Sequence, residues 1–177
     1  MAQSLSVQLK AFLKPQLCLD KKTYNDFKKR IGEGNLTRDE NPISHFGIFI
    51  LPYCPKTKKV FLVHHKKSNL WIFPGGHVDK GENLYQTTSR EAEEELGLEI
   101  NKFPSPFMFS IVKTKNLSYS CRIHYDVWFL LKINKENLKL DNQEFLQTSW
   151  LTLNKAVEKT KDLATIEALK RLNNKYQ

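Results

Sequence analysis

Five glutamates and one arginine crowd into Gly76–Leu98 (GHVDKGENLYQTTSREAEEELGL), inside a chain whose formal net charge is +9. From Asn83 the residues favour helix, and Gly97 is a typical helix stop. On such a helix Glu91, Glu94 and Glu95, spaced i, i+3 and i+4, fall within one sector. Three carboxylates on one face repel each other, and a cation among them removes that repulsion. Oxygen-only donors suit a hard divalent ion, Mg²⁺ or Mn²⁺. Arg90 stands beside Glu91 and one turn before Glu94, where it can orient a carboxylate. A glutamate-rich face is more often simply solvated, and spacing alone leaves both readings open.

Other side chains offer weaker signals. His77 follows the Gly75–Gly76 pair and is a candidate phosphate contact. Five lysines lie between Lys56 and Lys67. Lys66 is the phosphate contact chosen among them, although solvated lysine is the commoner outcome. Trp71, Phe73 and Trp128 read first as core and second as stacking partners for a base. His64 and His65 point to opposite faces of a strand and lack a third partner at ligand spacing, so they give no zinc site. His124 and Asp126 share a strand face and either line a pocket or pair with each other. Cys18, Cys54 and Cys121 are odd in number and far apart, with no C-x-x-C. That excludes a disulfide framework and a zinc site of the usual spacing, and fits a reducing cytoplasm.

The elements that must hold these residues follow from periodicity. Residues 4–34 read as two short helices around Pro15, with stripes Leu5, Leu9, Phe12, Leu13 and Tyr24, Phe27, Ile31; Gly32 and Gly34 close the second. A linker, TRDENP, follows. Phe46–Leu51, ended by Pro52, and Lys59–His65 form a hairpin with a loop of six to eight residues. The glutamate helix presents Leu84, Tyr85, Ala92 and Leu96 to the core. Then come a short strand at Glu99–Phe103, an alternating one at Phe107–Lys113, and the longest at Arg122–Ile133, apolar on both faces late in its length and so buried on both sides. After a polar loop at Asn134–Asn142, a last strand at Ser149–Leu153 precedes helices near Lys155–Lys159 and Asp162–Asn173, the second striped by Leu163, Ile166, Leu169 and Leu172. Strands on both sides of the glutamate helix, with helices at the end, make an α/β/α layered arrangement around a mixed sheet. The division expected is an N-terminal helical extension, 1–42, packed on a main domain, 43–177.

Composition bounds the function. At 177 residues and 40% hydrophobic content the chain supports an ordinary core. No apolar run is long enough to span a membrane, and the N-terminus lacks a secretory h-region. Residues 79–99 hold seven acids and two bases, so a basic body surrounds an acidic pit. Such a field steers a polyanion toward a metal.

Gly76–Leu98 resembles the Nudix box, G-x5-E-x7-R-E-U-x-E-E-x-G-U with U apolar. Every specified position is matched: Gly76, Glu82, Arg90, Glu91, Ala92, Glu94, Glu95, Gly97 and Leu98. The lead-in HF…VFLVHHKK…LWIFPGGHVD is similar to a bacterial-type Nudix subgroup. The resemblance implies the Nudix fold over roughly Ile43–Thr160. It implies a Mg²⁺- or Mn²⁺-dependent hydrolase of a nucleoside diphosphate linked to another moiety. Carried over by position, Glu91, Glu94 and Glu95 ligate the metal with the Gly76 carbonyl, Glu82 holds water there, and Arg90 orients Glu91. The general base is Glu91 or Glu144. The latter lies six residues before Trp150, matching the acid that family members often carry ahead of a tryptophan-led strand, although a plain surface glutamate is the commoner reading.

The expected partner is a small nucleotide. RNA, through 5′-end pyrophosphate removal, is the second class, and a homodimer is compatible. A non-catalytic nucleotide sensor is a weaker alternative because the box glutamates are all kept. Isopentenyl-diphosphate isomerase is the weakest, because Cys54 in LPYCPK does not match that enzyme's cysteine motif. Marks of the ADP-ribose, diadenosine-polyphosphate, NADH and coenzyme-A subfamilies are missing.

Overall fold

The computed structural model describes residues 3–114, 120–134, 136, 138 and 144–176. Parts of the segments 113–121 and 134–148 therefore lie outside the described residues. So does much of the expected polar loop Asn134–Asn142.

Helix α1 (Leu5–Phe12) is capped by Ser4, and α2 (Lys21–Glu33) by Asp20, whose carboxylate accepts from Thr23 N–H at 2.6 Å. A short 3₁₀ turn, Pro15–Leu17, separates them, as Pro15 foretold. Gly32 stays inside α2; only Gly34, at φ 73°, ends it. Strand β1 (Ser44–Cys54) runs on through Pro52. The reason is visible in the ladder. Phe46, Ile48 and Ile50 donate to Leu36, Gly76 and Pro74 carbonyls at 2.9, 2.8 and 2.9 Å. By the same alternation residue 52 would aim its N–H into the gap between Pro74 and the next strand, so a proline costs no bond there.

β2 (Lys59–His65) returns antiparallel to β1 through a four-residue turn, 55–58, shorter than expected. β3 (Leu70–Ile72) is a strand that the apolar run Trp71–Phe73 did not announce. Helix α3 (Leu84–Leu96) starts with a reciprocal Asn83–Gln86 capping box and stops at Gly97 in the left-handed region, φ 61°. β4 (Pro106–Lys113), β5 (Ile123–Lys132) and β6 (Phe145–Thr152) follow, then α4 (Leu153–Lys159) and α5 (Leu163–Tyr176).

Strand order is β3-β2-β1-β5-β4, with β6 on the other side of β2. β1 and β5 are parallel over ten paired residues and the remaining pairs are antiparallel, so the sheet is mixed. Leu9, Phe27, Phe46, Ile48, Leu84, Ala92 and Val127 form the core on the α1–α3 side. Leu51, Leu62, Phe73, Trp128, Ala168 and Leu172 form it on the α5 side. The expected α/β/α sandwich is therefore present, with β5 buried on both faces.

Several details differ from expectation. Glu99–Phe103 is not a strand: Tyr85 Oη donates to the Ile100 carbonyl, and Phe103 packs on Phe12, Tyr85 and Phe129 instead. Tyr85 is exposed rather than core, and buried Thr87 and Thr88 take its place on the inner face of α3. The stripe of α5 is rotated: Leu163 is 81% exposed, whereas Ala164, Thr165 and Ala168 are buried beside Leu169 and Leu172. Small residues fit where the helix lies close to the sheet, which hydropathy alone does not weigh. β6 begins at Phe145, four residues ahead of the expected Ser149.

The N-terminal helices are packed into the body. Arg30, almost fully buried, donates to the carbonyls of Gly34, Asn35 and Ser44 at 2.7, 2.7 and 2.6 Å. It ties the end of α2 to the first residue of β1. Arg30→Met should cost about 2–4 kcal/mol, because three carbonyls lose the charged donor that a buried side chain brings to them. Urea denaturation measures this, and a loss below about 1 kcal/mol would contradict the anchoring role.

Candidate functional site

The site forms where the 74–78 turn crosses β1 and meets α3. Gly75 has φ 151°, and a Cβ there would overlap the Ile48 carbonyl. A Cβ at Gly76 would overlap the Glu91 carboxylate. These two glycines let the backbone approach both β1 and α3 at once. The Gly76 carbonyl accepts from Ile48 N–H at 2.8 Å, which leaves its second lone pair for another partner.

Arg90 is the hub. Its Nε and Nη2 grip both oxygens of Glu82 at 2.8 and 3.0 Å. Nη1 donates to Glu91 at 2.7 Å and to Glu94 at 3.1 Å, and Nη2 also reaches the His77 carbonyl at 3.1 Å. The bidentate grip is the strong form of this contact. The guanidinium pKa is pushed up, first by the hydrogen bonds it donates to Glu82.

The carboxylates are not equivalent. Burial pushes the Glu95 carboxyl up to about 9, aided by Glu91, although Gly75 N–H donates to it at 2.7 Å. Burial also raises Glu91, with Arg90 opposing. In Glu82 burial pushes upward, but Arg90 and the Thr87 hydroxyl prevail and its pKa is lowered. Glu94 is largely exposed. The box acids are thus buried in excess of their cationic partners.

Of these acids Glu95 lines a cavity of about 1130 Å³ that runs along β1 from Gly47 to Phe49 and under the start of α5. Phe73, His77, Gly76 and Glu95 line it, as do the cationic residues Arg38, Lys67, Lys113 and Lys161. Glu144 sits at the head of β6 with its carboxylate 3.8 Å from His65 Nε2. Its charge acts on both Glu91 and Glu95. Trp71 and Trp128 do not line the cavity. Trp71 stacks on His64 under the Lys159 ammonium. Trp128 is fully buried against Phe49, its indole N–H donating to Ser110 at 2.8 Å. Lys66 is exposed beside the cavity wall, and its backbone N–H donates to the Glu144 carbonyl at 3.0 Å. Lys67, its neighbour, is the lysine of the Lys56–Lys67 group that lines the cavity.

His124 and Asp126 do share a face and line the cavity, but they do not pair: His124 Nε2 and Asp126 Oδ2 are buried without a hydrogen-bond partner. Burial pushes the Asp126 carboxyl up to about 8. The residue missed from sequence is His45. It is fully buried, paired in register with His124 on parallel strands, and packed against His77. In the sequence its HF dipeptide stands only as part of the lead-in pattern. Burial lowers the pKa of His45 and drives His77 to about 3 and His124 to about 4.

The donor set of Glu91, Glu94 and Glu95 is all oxygen and under-compensated in charge, which fits Mg²⁺ or Mn²⁺. In the structure Arg90 and Gly75 hold these carboxylates individually. Among the described residues the group whose ligand atoms all lie within 4.8 Å of one another is His45, His77, Cys121 and His124. No helix among the described residues is long and apolar enough to cross a membrane.

Comparison with known proteins agrees with this architecture. The family model described as NUDIX domain matches residues 44–172. Nudix hydrolase 6 of Arabidopsis thaliana is 30% identical over 118 residues, covering 63% of this chain and 39% of that protein. The chain thus spans well under half of that relative. Dihydroneopterin triphosphate diphosphatase of Haemophilus influenzae is 25% identical over 134 residues, covering 70% and 84%. Among solved structures, the E. coli dihydroneopterin triphosphate pyrophosphohydrolase superposes with a TM-score of 0.59 at 20% identity, covering 73% of this chain and 95% of that one. With the box, the mixed sheet and the family model in agreement, the chain belongs to the NUDIX domain family, whose hydrolases act on pyrophosphate bonds of nucleotide derivatives.

Proposed function

We propose that the protein hydrolyses a pyrophosphate linkage in a nucleoside diphosphate derivative, with Mg²⁺ or Mn²⁺ held by Glu91, Glu94 and Glu95 and by the Gly76 carbonyl. The observation that carries this reading is the Arg90 network, which gathers Glu82, Glu91 and Glu94 beside the buried Glu95. The ion, when bound, neutralises charge on phosphate oxygens and makes water more acidic.

The chain's own residues do the rest. Arg90 holds Glu82 and Glu91 at fixed orientation, so little reorganisation accompanies the reaction. Arg38, Lys67, Lys113 and Lys161 on the cavity wall draw in the phosphates. Phe73 supplies an apolar wall, and His77, kept neutral by burial, offers a hydrogen-bonding ring without added charge. For the general base we favour Glu144 over Glu91. The Glu91 carboxylate is tied to Arg90 and pressed against Gly76. Glu144 is exposed, and among the described residues its ion-pair contact is the more distant His65. Cys54 is buried and does not line the cavity, which speaks against the isomerase. The comparisons lend no support to RNA or to a homodimer.

Phosphate release should be measured with Mg²⁺ or Mn²⁺ across nucleoside triphosphates, nucleotide sugars, dinucleotides and 5′-triphosphorylated RNA. Glu95→Gln is expected to lose at least about 10²-fold in turnover while staying folded, and equal rates would refute the ligand set. Glu144→Gln is expected to lose about 10²–10⁴-fold, as general-base removal does. A loss below about tenfold would assign the base to Glu91.

The buried acids also set the pH dependence of the metal-free fold. Glu95 ionises near 4.5 when unfolded and at about 9 when folded, so between these values the folded state keeps a proton that the unfolded state has released. Stability then falls as pH rises. His77 and His124, lowered from 6.5, have the opposite slope but act only below 6.5. Above pH 6.5 the raised carboxyls of Glu95 and Asp126 drive the fall, with the lowered Cys54 thiol opposing it as pH nears 9. Thermal unfolding in EDTA should show Tm declining from pH 6.5 to about 8.5. The decline should be shallower in Glu95→Gln. A wild-type Tm that does not fall over this window would contradict the buried-acid assignment.

A further inference from the structure

We infer that His45, His77, His124 and Cys121 form a second metal site, built for a borderline-soft divalent ion of the zinc class and separate from the carboxylate site of the box. One ring nitrogen from each histidine and the Cys121 sulfur all lie within 4.8 Å of one another. Tetrahedral zinc with Zn–N near 2.0–2.1 Å and Zn–S near 2.3 Å needs ligand separations of about 3.3–3.8 Å. Side-chain movements of about 1 Å therefore close the shell.

The backbone makes this convergence, not chance surface proximity. His45 and His124 are register partners on the parallel strands β1 and β5, so their side chains stand side by side on one face. The isolated bridge between Gly47 and His77 brings the third ring across. The rings lie 4.7 Å (His45–His77), 5.1 Å (His45–His124) and 5.1 Å (His77–His124) apart, with His77 nearly perpendicular to the other two. Such rings aim at a shared centre rather than stacking over one another. Cys121 lies two residues before β5 and borders the same cavity.

The hydrogen bonds point the same way. His45 Nδ1 lies 3.0 Å from the Asn41 carbonyl, which can only accept. Nδ1 therefore carries the proton, and Nε2 presents its lone pair to the cluster. A backbone carbonyl fixing the tautomer of an imidazole in this manner is the usual support of a ligating histidine. His45 Nε2 and His124 Nε2 are both buried with no hydrogen-bond partner. Buried polar atoms of this kind are rare without a reason, and two within one cluster are explained by an ion between them. Arg38 Nη1 contacts His77 Nδ1 at 3.4 Å, a long bond from a half-exposed side chain that also has Asp79 at 3.3 Å to hold it. Arg38 yields easily.

Four protein ligands fill a tetrahedron, which marks a structural rather than a catalytic ion. Three nitrogens and a thiolate prefer zinc over Mg²⁺, so the two sites sort their metals by donor chemistry. Zinc here would clamp β1, β5 and the turn carrying Gly75 and Gly76, and so hold one wall of the substrate cavity.

The test is titration of full-length, chelator-stripped protein with Co²⁺ and then Zn²⁺, in excess Mg²⁺ so that the box carboxylates are occupied. The expected result is one equivalent of Co²⁺ bound, with tetrahedral visible bands and a thiolate charge-transfer band in the near ultraviolet, displaced by Zn²⁺. Cys121→Ser should abolish the charge-transfer band while Cys18 and Cys54 remain. His124→Gln should weaken Co²⁺ binding at least tenfold, and Glu94→Gln should leave the spectrum unchanged. Zn²⁺ should raise the Tm of the wild type and not of Cys121→Ser. Absence of the charge-transfer band in the wild type, or its survival in Cys121→Ser, would overturn the site. All three variants can be checked for folding by circular dichroism in EDTA.

Discussion

The structure depends on one cation held among four acids. Arg90 reaches Asp79, Glu82, Glu91 and Glu94 and keeps the charge density at the start of the cavity from expelling the helix that carries it. Without it, burying Glu91 and Glu95 on the inner side of α3 would leave carboxylates with no counter-charge, a cost of several kcal/mol per ion. Even with it the compensation is incomplete, and the raised pKa values of Glu91 and Glu95 record the remainder. That residual is what a divalent ion relieves. The same geometry dictates Gly76, since the Glu91 carboxylate occupies the space of its missing side chain.

The sheet explains how one cavity serves two kinds of chemistry. On β1 the even-numbered residues Phe46, Ile48 and Ile50 enter the core under α1–α3. The odd-numbered residues face the other way, with Phe49 and Leu51 packed toward α5 and His45 at the open end. β5 repeats this in register, with Trp128 and Leu130 at one end and His124 and Asp126 at the other. One face of the parallel pair thus changes along its length from packed core to polar cavity wall. The acids of α3 reach the cavity only through the turn at Gly75–Gly76, which binds β1 edge-on while accepting the close approach of Glu91.

Much of this was legible in the chain. The box reads as a helix because Asn83, Gln86 and Gly97 are local signals that tertiary context did not overrule. The alternation of Arg122–Ile133 revealed a strand buried on both faces. Less legible were features set by partners distant in sequence. Pro52 reads as a terminator until the gap in its ladder is seen. The α5 stripe favoured large residues, whereas close packing selected Ala164, Thr165 and Ala168. Trp71 and Trp128 carry the right chemistry for stacking a base, but strand parity turns them to the α5 core. The histidine–cysteine cluster was hidden because its members lie on β1, on the 74–78 turn and at the start of β5, where no spacing rule connects them. His45, His124 and Asp126 obey strand period, yet only the register shows that the first two are neighbours.

The central claim is that the box carboxyls are buried in excess of their counter-charges and are completed by a divalent cation. The most direct measurement is the proton released when Mg²⁺ binds, by calorimetry at about pH 8 in two buffers of different ionisation enthalpy. The account predicts release of close to one proton per ion, because Glu95 is largely protonated at that pH and must ionise to ligate. The release should disappear in Glu95→Gln. Binding of Mg²⁺ with no proton released, or with release unchanged in that variant, would contradict it.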